Sequence, residues 1–363
     1  MRTSKPSFLG LILAVLAWVM LVLVGYYYVH KPVTPLQVLY FGRAVLDLIL
    51  AVALVGLAGG VGARLLTASA LTPLERLALQ AALGLGILAL IWLAVGLLGG
   101  YRRIISWAML ALGLVIFRRQ VLDWLGQLAF LKPLWFGSSK FGKTLGIGSG
   151  LLVSTQLLYA LAPPIKWDAL MYHLQLPRLY LAAGRFEFIP SNPYWGQPQL
   201  SEMINSWGMA LRGNETATAM SWMLMAVLLL GILGTLAVRA SPTAGWLAMA
   251  ALLAGYSFRG MMGWAYADGL AALFGFCVLV SLLAWQEQRE DMWLLWVGVF
   301  AGFALGCKLT AGILLPLVVA AIFLFNRWQL RAASESSLRV LSIALLLFSP
   351  WLLLNALATG NPL

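Results

Sequence analysis

The chain is poor in the side chains that build metal and disulfide sites. It holds two cysteines and two histidines among 363 residues. Cys277 and Cys307 each fall inside an apolar run, with no CxxC spacing and no histidine nearby, so buried structural thiols are the expectation. The absence of HExxH or any paired-histidine spacing removes the usual zinc signatures. Charge is scarce too, at 10% of residues, against about 25% in soluble proteins. No stretch free of apolar runs is long enough to bury a core of its own, which excludes a soluble domain. Acidic residues are the scarcer sign, 12 against 24 basic. That surplus does not point to nucleic acid, because the basic residues stand singly between apolar runs and share no face. No period of 20–50 residues recurs, which argues against a solenoid, and no inverted repeat is evident.

What is present is hydrophobic, 62% of all residues. The fold class this predicts is all-α, a polytopic α-helical membrane protein. A helix needs about 20 apolar residues to cross the hydrocarbon. Apolar runs at roughly 8–29, 44–63, 77–99, 104–117, 144–162, 216–238, 243–258, 268–286, 292–307, 309–325 and 340–356 predict about 11 transmembrane helices. The first run is too long for a signal-peptide core and has no small-residue cleavage site, so it reads as a retained helix. Placing Arg2 and Lys5 in the cytoplasm puts Arg64, Arg76, Arg118, Arg119, Lys132, Lys140, Lys143, Arg239, Arg289, Arg327, Arg331 and Arg339 on the same side, as the positive-inside rule favours. Arg102 and Arg103 are the clearest exceptions. On this topology residues 163–215 form one large extracytoplasmic loop. Residues 118–143 lie in the cytoplasm, and Leu122, Trp124, Leu125, Leu128 and Leu131 at helical spacing predict an interfacial helix there.

The loop has internal order. Pro163 and Pro164 end the preceding helix. Trp167, Leu170, Met171 and Leu174 then predict a short amphipathic helix that Pro177 ends or kinks. "PSNPYWGQPQ" is a turn-rich run. Leu200, Met203, Ile204, Trp207 and Leu211 share one face of a second helix, with Pro198 near its first turn. Both helices are expected to lie flat on the outer membrane surface, with Trp167, Tyr172, Tyr180, Tyr194, Trp195 and Trp207 at headgroup level.

Asp168 lies just past a transmembrane helix, with Lys166 two residues before it and Tyr172 one turn on. A carboxylate there is suited to general-base chemistry or to a divalent cation. An acidic residue that favours a helix dipole is the plainer alternative. Lys166, Arg178 and Arg185 offer positive charge for a phosphate, or are solvated loop charges. His173 reads as a packing or hydrogen-bonding residue rather than a metal ligand. Asp268 in "WAYADGLAALF" begins a helix, and Lys308 in "GFALGCKLTAG" separates two apolar runs. Charges at such depth mark functional sites by default, or else snorkel to the headgroups. Asp168, Asp268 and Lys308 fall on one side of the membrane, which predicts a site there.

The stretch "WDALMYHLQLPRLYLAAGRF" resembles the first extracytoplasmic loop of polytopic glycosyltransferases of the C superfamily, the group of mannosyltransferase-like and aminoarabinose-transferase-like enzymes. "YADGLAALFGFCVLVSLLAW" looks like their later acidic loop-to-helix junction. "GVFAGFALGCKLTAGILLPL" is similar to their Gly-rich helix pair with a Lys at the break, and "SPWLLLNALATGNPL" to the stretch leading into a further outer loop. The resemblance covers roughly 144–363, and divides the chain into residues 1–143, a four-helix membrane region, and 144–363, a glycosyltransferase-like core. Two departures stand out. Ala169 follows Asp168 where members commonly carry a second acidic residue, and four helices precede the matching region. Members often continue beyond the point matching Leu363, so a truncated or minimal form is expected.

The resemblance implies an enzyme of the bacterial cytoplasmic (inner) membrane. It would transfer a sugar, with inversion, from a polyprenyl-phosphate-linked donor to a lipid, glycan or protein acceptor at the extracytoplasmic face. Asp168 would be the general base. Lys166, Tyr172, His173, Arg178, Arg185, Glu187, Glu202, Asp268 and Lys308 would contact substrate. Asp168 and Asp268 are the candidate ligands of a divalent cation, Mg or Mn. The partners implied are the donor, the acceptor and membrane lipids, with no nucleic acid. Two other functions use the same residues: a transporter or lipid flippase, and a non-catalytic membrane subunit of an envelope glycan assembly.

Overall fold

Thr72-Pro73-Leu74-Glu75 starts a helix in a way the chain alone dictates. The Thr72 hydroxyl accepts from the Glu75 amide at 3.2 Å, and the Glu75 carboxylate accepts from the Thr72 amide at 2.8 Å. This reciprocal cap, with Pro73 at the first helical position, satisfies N–H groups that would otherwise be orphaned. A computed structural model of the chain describes residues 8–30, 34–68 and 70–362, and among them there is helix and turn but no strand. Arg2, Lys5 and Leu363 lie outside the described residues.

In order, the helices are α1 (Phe8–His30), α2 (Pro35–Leu65), α3 (Pro73–Leu97), α4 (Arg103–Ile116), α5 (Arg118–Gly126), α6 (Leu131–Gly137) and α7 (Lys140–Ala160). A single π-helical turn (Ala169–His173) leads to α8 (Gln175–Ala183), α9 (Leu200–Leu211), α10 (Asn214–Arg239), α11 (Pro242–Ala254) and α12 (Tyr256–Trp264). They are followed by α13 (Ala267–Gln288), α14 (Asp291–Cys307), α15 (Leu314–Phe325) and α16 (Leu330–Thr359). By contact the chain falls into residues 1–46 and 47–363. The first unit is α1 with the start of α2, and it exposes apolar side chains such as Trp18, Leu21, Tyr28 and Phe41. The boundary expected after residue 143 lies inside the second unit.

Five helices, α2, α3, α10, α13 and α16, are long and apolar enough to cross a membrane. A sixth span results if α4 and residues 118–137, which meet at a bend of 72°, count as one. The chain is thus an α-helical integral membrane protein, but the expected eleven spans are not found. For α11, α14 and α15 the reason is length, while α7, at 21 residues, is long enough but not apolar enough. At 1.5 Å per residue, the 13 residues of α11 reach about 20 Å, short of the roughly 30 Å hydrocarbon. The apolar run at 243–258 breaks at Gly255, and that at 309–325 opens as a 3-10 turn (Leu309–Ile313) before α15.

The interfacial helix expected over 118–143 is also corrected. It is broken into α5, a 3-10 turn (Gln127–Phe130) and α6. Trp124 is buried, its indole N–H donating to the Leu77 carbonyl at 2.9 Å. Its ring occupies the space a side chain at Gly59 would fill. α2 and α3 meet backbone to backbone nearby. A Cβ at Gly84 would lie 1.8 Å from the Ala58 carbonyl oxygen, a close approach that only glycine permits.

Within the second unit α13 packs on α14 and α14 on α16, while α10 packs on α3, α11 and α12. α13 and α14 are antiparallel about Arg289, so Asp268 and Lys308 share one end and Arg289 marks the other. The segment between α7 and α9 belongs to the Asp268 end. At the Arg289 end, Arg239 pairs with Glu287 at 2.5 Å, and Arg339 pairs with Asp291.

Candidate functional site

The short helix expected from Trp167 is a π-helical turn. The Leu174 amide donates to the Ala169 carbonyl, five residues back, at 2.8 Å. Such turns insert one residue into a helical path and are frequent at functional sites. Here the turn directs His173 into the protein while Asp168, just before it, stays half-buried. Pro177 neither ends nor kinks the helix that follows. It falls in the first turn of α8, where its missing N–H leaves no bond broken.

α9 departs most from expectation. Its periodicity predicts a helix on the membrane surface, but it lies inside the bundle against α3, α4, α8, α10, α13 and α14, and nearly every residue is buried. Trp207 is 1% exposed, stacked on Trp92 with ring centroids 5.2 Å apart. Tyr180 and Trp195 are buried as well, so of the expected headgroup aromatics Trp167 and Tyr194 stay exposed and Tyr172 half-exposed. The polar face of α9 therefore meets protein instead of water. Ser206 accepts the Trp92 indole N–H at 2.7 Å. Glu202 Oε1 and His173 Nδ1 are bonded at 2.5 Å, with both side chains at or below 4% exposed. Asn205 donates to the carbonyls of Ala265, at 3.1 Å, and of His173, at 3.4 Å.

One turn of α9 thus clamps two loops, the π-turn and the 265–266 turn between α12 and α13. Ala265 carries φ of 56°, a left-handed conformation that costs a residue with a Cβ, and the Asn205 bond to its carbonyl helps hold it. Tyr266 follows, its ring 5.2 Å from that of His173. Beyond it Asp268, in the first turn of α13, meets Lys308 at the end of α14, Nζ to Oδ1 at 2.7 Å.

Charges from all these elements reach two tyrosines. Burial pushes the Tyr172 hydroxyl well above the ordinary phenol range, and the carboxylates of Asp168, Glu202 and Asp268 add to that shift. The Tyr266 hydroxyl is raised by burial and by Asp168 and Asp268, against the lowering effects of the Asp168 backbone and Lys166. Asp168 and Asp268 therefore act on the same two hydroxyls. Both phenols stay protonated at neutral pH, so they can donate hydrogen bonds but are poor bases.

The remaining predicted residues divide clearly. Lys166 turns to α12, its Nζ 3.0 Å from the Tyr256 hydroxyl. Arg185 and Glu187 pair with each other at 2.7 Å, beside the end of α3, where the Phe186 amide donates to the Gly96 carbonyl. Arg178 is exposed on α8. Glu202, sealed against His173, is not open to a substrate. Asp168 is the half-buried carboxylate of the site that makes no ion pair among the described residues, whereas Asp268 and Glu202 are both paired.

The paired state of Asp268 also bears on the expected divalent cation. An ammonium already neutralises that carboxylate, and among the described residues no three His, Cys, Asp or Glu side chains are grouped closely enough to share an ion. The sequence pattern does not single out Asn205, which reads as the wet face of an amphipathic helix, or Tyr266, whose signal is its place beside Asp268 in "YADG". Nor does it single out Asp47, buried in α2, where Thr216 donates at 2.6 Å and Arg212 pairs at 3.1 Å. No family model, curated protein or solved structure matches this chain.

Proposed function

We propose that the protein transfers a sugar from a polyprenyl-phosphate-linked donor to an acceptor at the extracytoplasmic membrane face, with Asp168 as general base. The observation that carries this is the unpaired, half-buried Asp168 carboxylate, which acts on the same two tyrosine hydroxyls as the Lys308-paired Asp268. The resemblance of the 167–186 segment and of the Asp268 junction to C-superfamily glycosyltransferases supports it. An acceptor hydroxyl or amine attacks the anomeric carbon and gives its proton to Asp168. The bond from that carbon to the phosphate oxygen breaks, and the electron pair leaves on the phosphate. Direct displacement inverts the anomeric centre. Tyr172 and Tyr266, both protonated, serve as hydrogen-bond donors to the sugar. Lys308 holds Asp268 in place.

The test is a transfer assay with the purified protein in lipid vesicles and radiolabelled polyprenyl-phosphate sugars. Asp168→Asn keeps the shape and removes the base, and general-base catalysis contributes about 10²–10⁴-fold. A loss of that order is expected. Full transfer by the Asn variant would remove Asp168 from the role. Uptake or flipping of the lipid with no covalent product would replace the transferase with a transporter.

A further inference from the structure

Two of the cations that the sequence offers for a phosphate are engaged with carboxylates: Lys308 with Asp268, and Arg185 with Glu187. Lys166 and Arg259 are not, and they stand beside one cavity. This cavity, about 200 Å³, lies between the last turn of α7 and helix α12, and is lined by Gln156, Tyr159, Tyr256, Arg259, Gly260 and Trp264. Arg259 is half-buried there, and its guanidinium forms no ion pair or hydrogen bond among the described residues. Lys166 is drawn to the same wall. Its ammonium lies 4.6 Å from the Trp264 ring centroid and 5.5 Å from that of Tyr256, within cation–π range. The hydrogen bond to Tyr256 holds its pKa above the ordinary lysine value, so it stays charged at neutral pH.

The wall is built around glycine. A Cβ at Gly260 would lie 2.1 Å from Trp264 Cζ2, so the indole folds back over its own helix only because residue 260 has no side chain. A Cβ at Gly263 would lie 2.7 Å from Tyr159 Cδ1, which sets how closely α12 approaches α7. Tyr256 in this wall is exposed, and so are Leu158, Ile165 and Trp167, the sequence neighbours of Tyr159 and Lys166.

We propose that this cavity seats the phosphate of a membrane lipid, gripped by the Arg259 guanidinium and the Lys166 ammonium. A half-buried guanidinium without a carboxylate calls for an anion, and its planar fork matches phosphate oxygens two at a time. The cavity is smaller than the roughly 300–1,000 Å³ of drug-sized pockets and suits a compact headgroup. The apolar rim favours a phosphate that arrives on a lipid tail over one free in water. Lys166 precedes Asp168 by two residues, so the seat adjoins the proposed base, yet it stands whether or not sugar is transferred.

Binding, rather than turnover, tests this. The intact protein in detergent is titrated by native mass spectrometry with polyprenyl monophosphate, with phosphatidylglycerol and with inorganic phosphate, and the two lipids decide the source of the headgroup. Wild type is expected to retain at least one lipid and to bind inorganic phosphate far more weakly. Arg259→Gln and Lys166→Gln should each weaken lipid binding about tenfold, the loss of one charge-assisted contact. Arg259→Lys should recover part of it. Gly260→Ala, which displaces Trp264 and removes no charge, should also weaken binding. Equal lipid binding by wild type and both Gln variants would overturn the proposal, as would inorganic phosphate bound as tightly as the lipids. Lipid binding lost in the variants, in a protein that transfers no sugar, would keep the seat and discard the transferase.

Discussion

The two ends of the bundle pair charge differently, the exposed Arg185–Glu187 pair at the Asp268 end aside. At the Arg289 end, acidic residues sit in exposed pairs: the Arg239 and Glu287 side chains are 32% and 52% exposed, and those of Arg339 and Asp291 are 52% and 71%. Such pairs are screened by water and contribute at most about 1 kcal/mol. At the Asp268 end, Glu202 and His173 are sealed from solvent, and Lys308–Asp268 is about two-thirds buried. Desolvating charge there costs energy that its pairing barely returns. A membrane protein gains little by keeping polar groups inside unless they hold a geometry. What they hold is the π-turn beside Asp168 and the left-handed turn at Ala265. The exposed end is ordinary membrane-boundary chemistry, and the buried end is where the residues of the proposed site lie.

That contrast can be broken most directly at His173. His173→Leu leaves Glu202 buried without its partner, and the expected loss is about 3–5 kcal/mol in chemical unfolding in detergent. Stability equal to wild type would show that the pair holds nothing. Asn205→Ala frees two buried carbonyls, and the same measurement should read about 1–3 kcal/mol. At Ala265 the sign reverses. Ala265→Gly removes the clash of a Cβ at φ of 56° and should stabilise the fold by up to about 1 kcal/mol. The smallest effect belongs to the opposite end: Arg239→Ala should shift stability by less than about 1 kcal/mol, and high salt should erase the difference. A large, salt-independent loss there would erase the distinction between the ends.

Part of the buried end is legible in the sequence. Asp268 in "YADG" does begin a helix, and Lys308 does break two apolar runs, because a lone charge in a greasy segment marks an end or a partner. The pairing of Asp268 with Lys308, 40 residues apart, follows only from the hairpin of α13 and α14. The pattern misleads at Glu202 and Asn205 for one physical reason. Periodicity tells which residues share a face, but not what covers that face. Glu202, Asn205 and Ser206 on α9 read as wet, and other helices bury them. Arg259 stands out in the sequence only as a single basic residue on the outer side of the expected topology, and the Gly260 and Gly263 contacts that shape the cavity beside it arise only in the fold.

The sequence alone determined the solvent and the helical class. With 62% hydrophobic residues and 10% charged, the chain can only be satisfied in a bilayer, and its backbone there must be helical. Caps such as Thr72–Glu75 and breaks at Gly255 and Lys308 are local chemistry, fixed by neighbours along the chain. The tertiary structure decided how many of the apolar runs reach across the membrane, that α9 is interior, and which charges are paired and which left free. These depend on contacts between residues far apart in sequence. A carboxylate becomes a helix-end residue, a buried clamp or a free base according to the cation that reaches it, and only the folded chain brings that cation near.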